Sequence, residues 1–237
     1  MVNFVTMNWE SKYDEYVLKM SEEYFEERFE IRQDVPFEFV YKYENIREFL
    51  NDNKTNFLNF IVSDPLSAFR NLQSQLPILA EHLIYCAHKE QSLSEKDFCK
   101  CFLRIYLYAA KGKTLFKHLI SYSELVEIFS TYNFKSIMDT DEKKQFEKLQ
   151  TSVALFRGSA GIDFDEAKKG ISWSLNYDRA EEFALYDRDY FNANSAIVID
   201  ATISKKDILV FSNLRGEYEV IINPDELRNI RFRDLGR

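Results

Sequence analysis

The chain has 237 residues and a net charge of −8, from 31 Lys and Arg against 39 Asp and Glu; 46% of its residues are hydrophobic and 16% aromatic. This apolar content excludes a disordered chain, and 6 Gly and 4 Pro exclude collagenous or low-complexity sequence. The acidic balance gives no general attraction to nucleic acid or to an anionic membrane.

No repeat period of the solenoid kind is present, and no segment reaches about 18 consecutive apolar residues. The N-terminus "MVNFVTMNWESKYDEYV" has neither a basic leader nor an apolar core. The expectation is a soluble cytoplasmic protein with no membrane partner. Three cysteines, Cys86, Cys99 and Cys101, are an odd number, which argues against a disulfide framework. Charge is uneven along the chain: acids dominate residues 1–52, whereas Lys and Arg exceed acids over 53–135.

Residues 10–32 place Tyr13, Tyr16, Val17, Met20, Tyr24 and Phe25 near helical spacing among many acids, predicting an amphipathic helix. "QLPILAEHLIYCAHKEQ" and "LSEKDFCKCFLRIYLYAAKGK" predict two buried helices. The second is capped by Ser94 with Asp97 in the box position and stops near Gly112. "YSELVEIFSTY" and "DTDEKKQFEKLQ" predict two more. Residues 1–150 therefore form a mainly helical N-terminal region. Beyond Thr151 the pattern turns to strands, "VALFRG", "SAIVIDATI", "DILVFS" and "EYEVII", rich in β-branched and aromatic residues. One helix interrupts them in "SLNYDRAEEFALYDRDY", with Asp178 and Glu181 spaced as a capping box. Strands not regularly interleaved with helices predict an α+β fold.

The run "RGEYEVII" carries two acids inside a strand-like stretch. In a regular strand Glu217 and Glu219 share one side, about 7 Å apart, and Tyr218, Val220 and Ile222 take the other side and anchor the strand. Arg157 ends "VALFRG" and offers planar paired donors to phosphate oxygens, while Gly158 frees the backbone to turn. Ser172 and Ser174 flank Trp173 just before the Asp178 helix, two hydroxyls on one side. A solvated strand and ordinary turn chemistry explain each piece taken singly.

In order, Arg157, then Ser172-Trp173-Ser174, then Glu217-Tyr218-Glu219 resembles the signature of the arginine-, serine- and glutamate-containing ADP-ribosyltransferases of the bacterial toxin class. The resemblance covers roughly residues 150–230. Trp173 stands where that signature usually has Thr, and Arg157 lies closer to Ser172 than in many of the toxins.

The resemblance implies a split, two-sheet α+β core over residues 151–237 that clamps NAD, as substrate, without a Gly-rich dinucleotide loop. Arg157 and Gly158 would read phosphate, and Ser172 would position Glu219 or the ribose. Trp173, Ser174, Tyr177, Phe183 or Tyr186 would complete the NAD site. Glu219 would stabilise the sugar cation, and Glu217 would orient or deprotonate the acceptor, the repulsion between the two acids raising the proton affinity of one. The acceptor implied is a macromolecule, protein arginine or a nucleic-acid base. The biological class implied is an intracellular bacterial or phage-associated toxin or defence effector with a possible antitoxin or inhibitor partner. A degenerate binding module and an NAD glycohydrolase are the alternatives.

The basic runs "KGKTLFKH" and "LRNIRFRDLGR" are candidate nucleic-acid contacts or solvated surface. His82, Cys86, His88, Cys99 and Cys101 match no compact zinc spacing, so no metal is expected, and His118 has no Cys or Ser partner for hydrolase chemistry.

Overall fold

In a computed structural model, residues 84, 88, 91, 93–108, 120–213 and 216–236 are described. The predicted helix over 10–32, most of that over 75–91, His82, Cys86, Gly112, the run "KGKTLFKH" with His118, and Arg215 lie outside these residues. The chain divides into two compact units, Met1–Ser121 and Tyr122–Arg237. The change from helical to strand pattern at Thr151 falls within the second.

In the first unit, α1 spans Glu95–Tyr108. Ser94 caps it as its sequence predicts, accepting from the Asp97 amide at 3.2 Å and donating to the Asp97 carboxylate at 2.6 Å. Phe98, Cys99, Cys101, Phe102 and Ile105 are buried. Burial, reinforced by the Glu95 charge, pushes the Cys99 thiol up to about 12.

The second unit opens with α2, Tyr122–Thr131, which buries Leu125, Ile128 and Phe129. The helix α3, Thr140–Lys148, starts at a full capping box: Asp139 accepts from the amides of Asp141 and Glu142, and Glu142 accepts from the Asp139 amide. Six strands are present among the described residues: β1 Ser152–Ala160, β2 Ser172–Ser174, β3 Ala196–Ser204, β4 Ile208–Ser212, β5 Glu219–Ile222 and β6 Arg228–Asp234. Two α-helices lie between them, α4 Phe164–Ala167 and α5 Tyr177–Tyr190. All neighbouring strands pair antiparallel in one sheet ordered β4-β5-β2-β1-β3-β6. The α+β class holds.

The expected two sheets are joined into one, but the joint is narrow. Strands β1 and β3 pair over nine positions, from Ser152 with Ser204 to Ala160 with Ala196, whereas β1 and β2 meet only at Phe156 with Ser174. The sheet is thus two three-stranded halves meeting at a waist.

Each face of the sheet has its own apolar layer. On one, Leu155, Ile199, Ile203, Trp173, Phe211, Val220 and Ile222 form the main core with Met138 and Ala167, and Phe146 of α3 packs against them. On the other, Ala180 and Ala184 of α5 pack on Ala196 and Val198 of β3, with Phe156 and Tyr177 alongside. Small residues let this helix sit close. Gly158 is central to that approach, because a Cβ there would overlap the Ala180 carbonyl oxygen and stand 2.8 Å from the Ala184 amide nitrogen. Its role is close packing within β1, not the turn expected from sequence.

Two further differences have local causes. The N-cap of α5 is Asn176, whose Oδ1 accepts from the Asp178 amide at 2.8 Å and the Arg179 amide at 3.4 Å, so Asp178 and Glu181 lie inside the helix and form no capping box. The run "LRNIRFRDLGR" forms most of an edge strand, β6, in which Arg231 pairs with Asp200 at 2.9 Å and Arg233 lies 5.3 Å over the Tyr177 ring. Charged side chains on an outer strand also discourage pairing with another chain. No described helix is long and apolar enough to cross a membrane.

Candidate functional site

The waist between β1 and β2 is where Arg157, Ser172, Ser174, Glu217 and Glu219 meet. Once the two strands part beyond Phe156 and Ser174, the backbone of β2 on that side needs other partners, and Arg157 supplies one. Its Nη1 donates to the Ser172 carbonyl at 2.6 Å and its Nε to the Ala167 carbonyl at 3.1 Å, so one guanidinium ties β1 to β2 and to the end of α4. Its Nη2 makes no hydrogen bond among the described residues. Gly170 lies flat against this group, since a Cβ at that position would collide with the guanidinium carbon. Arg157 therefore sits within β1 and does not end it, contrary to the sequence reading.

Alternation along β2 sends Ser172 and Ser174 to one face and Trp173 to the other. The Ser172 hydroxyl donates to Oε1 of Glu219 on the neighbouring strand. The Ser174 hydroxyl donates to the Glu217 carbonyl at 2.9 Å and accepts from the Asn176 amide at 3.0 Å, so it joins the glutamate turn to the start of α5. The Trp173 indole is 2% exposed within the main core, its N–H donating to the Gly170 carbonyl at 2.7 Å. This ring holds up the serine strand from behind and does not stand open for stacking, as it was expected to.

The glutamates come together by a route that strand alternation does not describe. Strand β5 begins only at Glu219. Before it, Gly216 and Tyr218 take positive φ, 72° and 50°. The left-handed residue between the two acids breaks the two-residue period. Val220 and Ile222 do anchor the strand in the core, but Tyr218 is 38% exposed and anchors nothing there. Glu217 and Glu219 nevertheless line the same cleft.

That cleft has a volume of about 210 Å³. Its walls include Arg157, Gly158, Ser172, Glu217 and Glu219, with Trp173 and Ser174 of β2. Of the predicted aromatic contacts, Phe183 lines it; Tyr177 is not part of the lining and packs edge-on against Phe156 at 5.6 Å. Tyr186 stands outside, stacked on Tyr190. Sequence reasoning missed Phe156 and Asp187, both of which line the cleft. The spacing of Phe183 and Asp187, four apart on α5, was the available signal.

The arrangement sets a carboxylate, oriented by a hydroxyl, opposite an arginine nitrogen still able to donate, with a second carboxylate close by. It suits a ligand that carries an anionic group and develops positive charge elsewhere. Among the described residues no group of His, Cys, Asp and Glu is placed to hold a metal ion. No family model, curated protein or solved structure matches the chain.

Proposed function

We propose that the protein is an NAD-dependent mono-ADP-ribosyltransferase whose active site is the cleft at the sheet waist. The observation that carries this reading is the hydrogen bond from Ser172 to Glu219, made beside Arg157 in one cleft by residues 47 apart in sequence. The family resemblance of the Arg, Ser-x-Ser and Glu-x-Glu elements supplies the substrate.

In the reaction, the bond between the ribose anomeric carbon and the nicotinamide nitrogen breaks, and its electron pair leaves with nicotinamide, neutralising the pyridinium. The ribose is left as an oxocarbenium-like cation. Glu219 stabilises that cation, with Ser172 donating to its Oε1 and so fixing the carboxylate's orientation. A lone pair of the acceptor then bonds to the anomeric carbon, and the proton lost by the acceptor passes to Glu217. Arg157 keeps the serine strand in place through two backbone carbonyls and presents Nη2 to a phosphate oxygen.

A cleft of about 210 Å³ lies below the roughly 300–1,000 Å³ usual for ligand pockets. A cleft of that size would hold only one end of NAD, which this reading takes to be the nicotinamide riboside. The acceptor is a macromolecule, protein arginine or a nucleic-acid base. A cytoplasmic toxin or defence effector held in check by an inhibitor protein is the biological setting that the resemblance suggests. The split two-sheet family core is the finer fold reading, which the single-residue waist favours.

The test is incubation of the purified protein with adenylate-labelled NAD and mixed protein and RNA acceptors. Label on a macromolecule supports transfer, and free ADP-ribose alone indicates a glycohydrolase. No NAD consumption sinks the enzyme reading and leaves a binding module.

A further inference from the structure

The turn that carries Glu217 is held from two sides, and only one of them belongs to the serine strand. On that side, Ser174 Oγ donates to the Glu217 carbonyl and the Leu175 amide donates to the Tyr218 carbonyl at 3.0 Å. On the other side stands Glu142, at the third position of α3. Its Oε1 accepts from the Asn213 amide at 2.7 Å and from the Ser212 hydroxyl at 3.2 Å. Asn213 in turn closes the turn on itself: its carbonyl accepts from the Gly216 amide at 3.0 Å, and its Oδ1 accepts from the Tyr218 amide at 3.3 Å.

We infer that Glu142 is a positioning residue for the candidate site, holding Asn213 and, through the Asn213 carbonyl and side chain, Gly216 and Tyr218, so that the Glu217 carboxylate faces the cleft. The inference rests on the functional reading for its kinetic consequence but not for the clamp itself. Three features support the assignment. Glu142 is half-buried and comes from a helix some 70 residues earlier in the chain, so the contact is tertiary and not a local turn preference. Its carboxylate accepts from the first backbone amide after β4, the point from which the turn departs. The turn also needs an external restraint, because Tyr218 is held at a φ of 50°, where a residue with a side chain is disfavoured.

Glu142 also caps α3 through Oε2, and the two roles separate by substitution. Asp139→Ala removes the cap acceptor for Asp141 and Glu142 but leaves the Glu142 contact to Asn213. Glu142→Gln keeps a carbonyl oxygen to face Asn213 and Ser212. Glu142→Ala loses both roles.

The experiment measures amide exchange at Asn213 and Tyr218 by NMR in the full-length protein and, alongside it, the ratio of ADP-ribose transfer to NAD cleavage. We expect Glu142→Ala to expose both amides and to lower transfer about tenfold relative to cleavage, as small displacements of an acceptor base do. Glu142→Gln and Asp139→Ala should retain protection and stay near the parent ratio. If Glu142→Ala retains protection at both amides, or if Asp139→Ala loses it equally, the clamp is overturned. If the parent protein consumes no NAD, the functional reading fails, and amide exchange alone then decides the clamp for or against.

Discussion

Adding one methyl group at Gly158 tests how closely α5 lies on the sheet. The added Cβ would overlap the Ala180 carbonyl oxygen and approach the Ala184 nitrogen to 2.8 Å, and both are backbone atoms that no rotamer change can move. The helix must retreat by on the order of 1 Å, loosening the contacts of Ala180 and Ala184 with Ala196 and Val198. Overpacking of this kind costs about 1–3 kcal/mol, and backbone against backbone places Gly158→Ala near the upper end. For a unit of about 120 residues, a loss of about 3 kcal/mol lowers Tm by on the order of 10 °C. Differential scanning calorimetry measures it, with Gly216→Ala as the comparison. Nothing lies within 4 Å of a Cβ at Gly216, whose φ of 72° alone limits the loss to about 1–2 kcal/mol. If Gly158→Ala is as stable as the parent, or gains the few tenths of a kcal/mol that a less flexible unfolded chain confers, the close packing of α5 on β1 is refuted.

The two serines should behave differently. Ser172→Ala removes the hydroxyl that orients Glu219 and should lower NAD cleavage by about tenfold to a hundredfold, read in initial rates, with little change in Tm because the residue is only half-buried. Ser174→Ala frees the Glu217 carbonyl and the Asn176 amide at once, and should lower Tm as well as transfer. Cys99 and Cys101 should resist alkylation at pH 8 in the folded protein, read by peptide mass spectrometry, since both are 0% exposed. The raised Cys99 thiol makes stability pH-dependent in a defined direction. Between pH 9, where an unfolded thiol ionises, and about 12, the folded thiol keeps a proton that the unfolded chain has lost, so stability falls as pH rises through that window and is unaffected below it.

Much of the second unit was legible because its residues report their own environment. Alternating or continuous β-branched runs marked β1, β3 and β4, and the polar run "DTDEKKQFEKLQ" marked α3, though its capping box at Asp139 was not read from the sequence. Strand β6 was read as a basic run because edge strands carry arginine in place of core residues, with only Ile230 and Phe232 left to keep the alternation. At the site, the order of Arg157, Ser172 and Glu219 and its resemblance to the family signature led to the expectation that they meet, and the structure brings them into one cleft. Their bonding was not legible in the sequence. That Arg157 spends two donors on backbone carbonyls follows from where β1 and β2 part, a property of pairing with β3 and β5 that no local pattern records. Trp173 looked like a stacking contact because it lies between two candidate site serines, yet alternation in a three-residue strand sends its ring to the core. The left-handed φ of Tyr218 defeated the two-residue rule that first set the glutamates on one side.

The most direct test of the account is the rate of NAD cleavage by Glu219→Gln. The substitution keeps an oxygen to accept from Ser172, so the fold and the cleft should persist, while the negative charge proposed to meet the sugar cation is lost. The account predicts a fall of about a hundredfold or more with Tm unchanged, alongside Glu217→Gln that cleaves NAD normally but transfers poorly. Cleavage by Glu219→Gln within about twofold of the parent rate would contradict it.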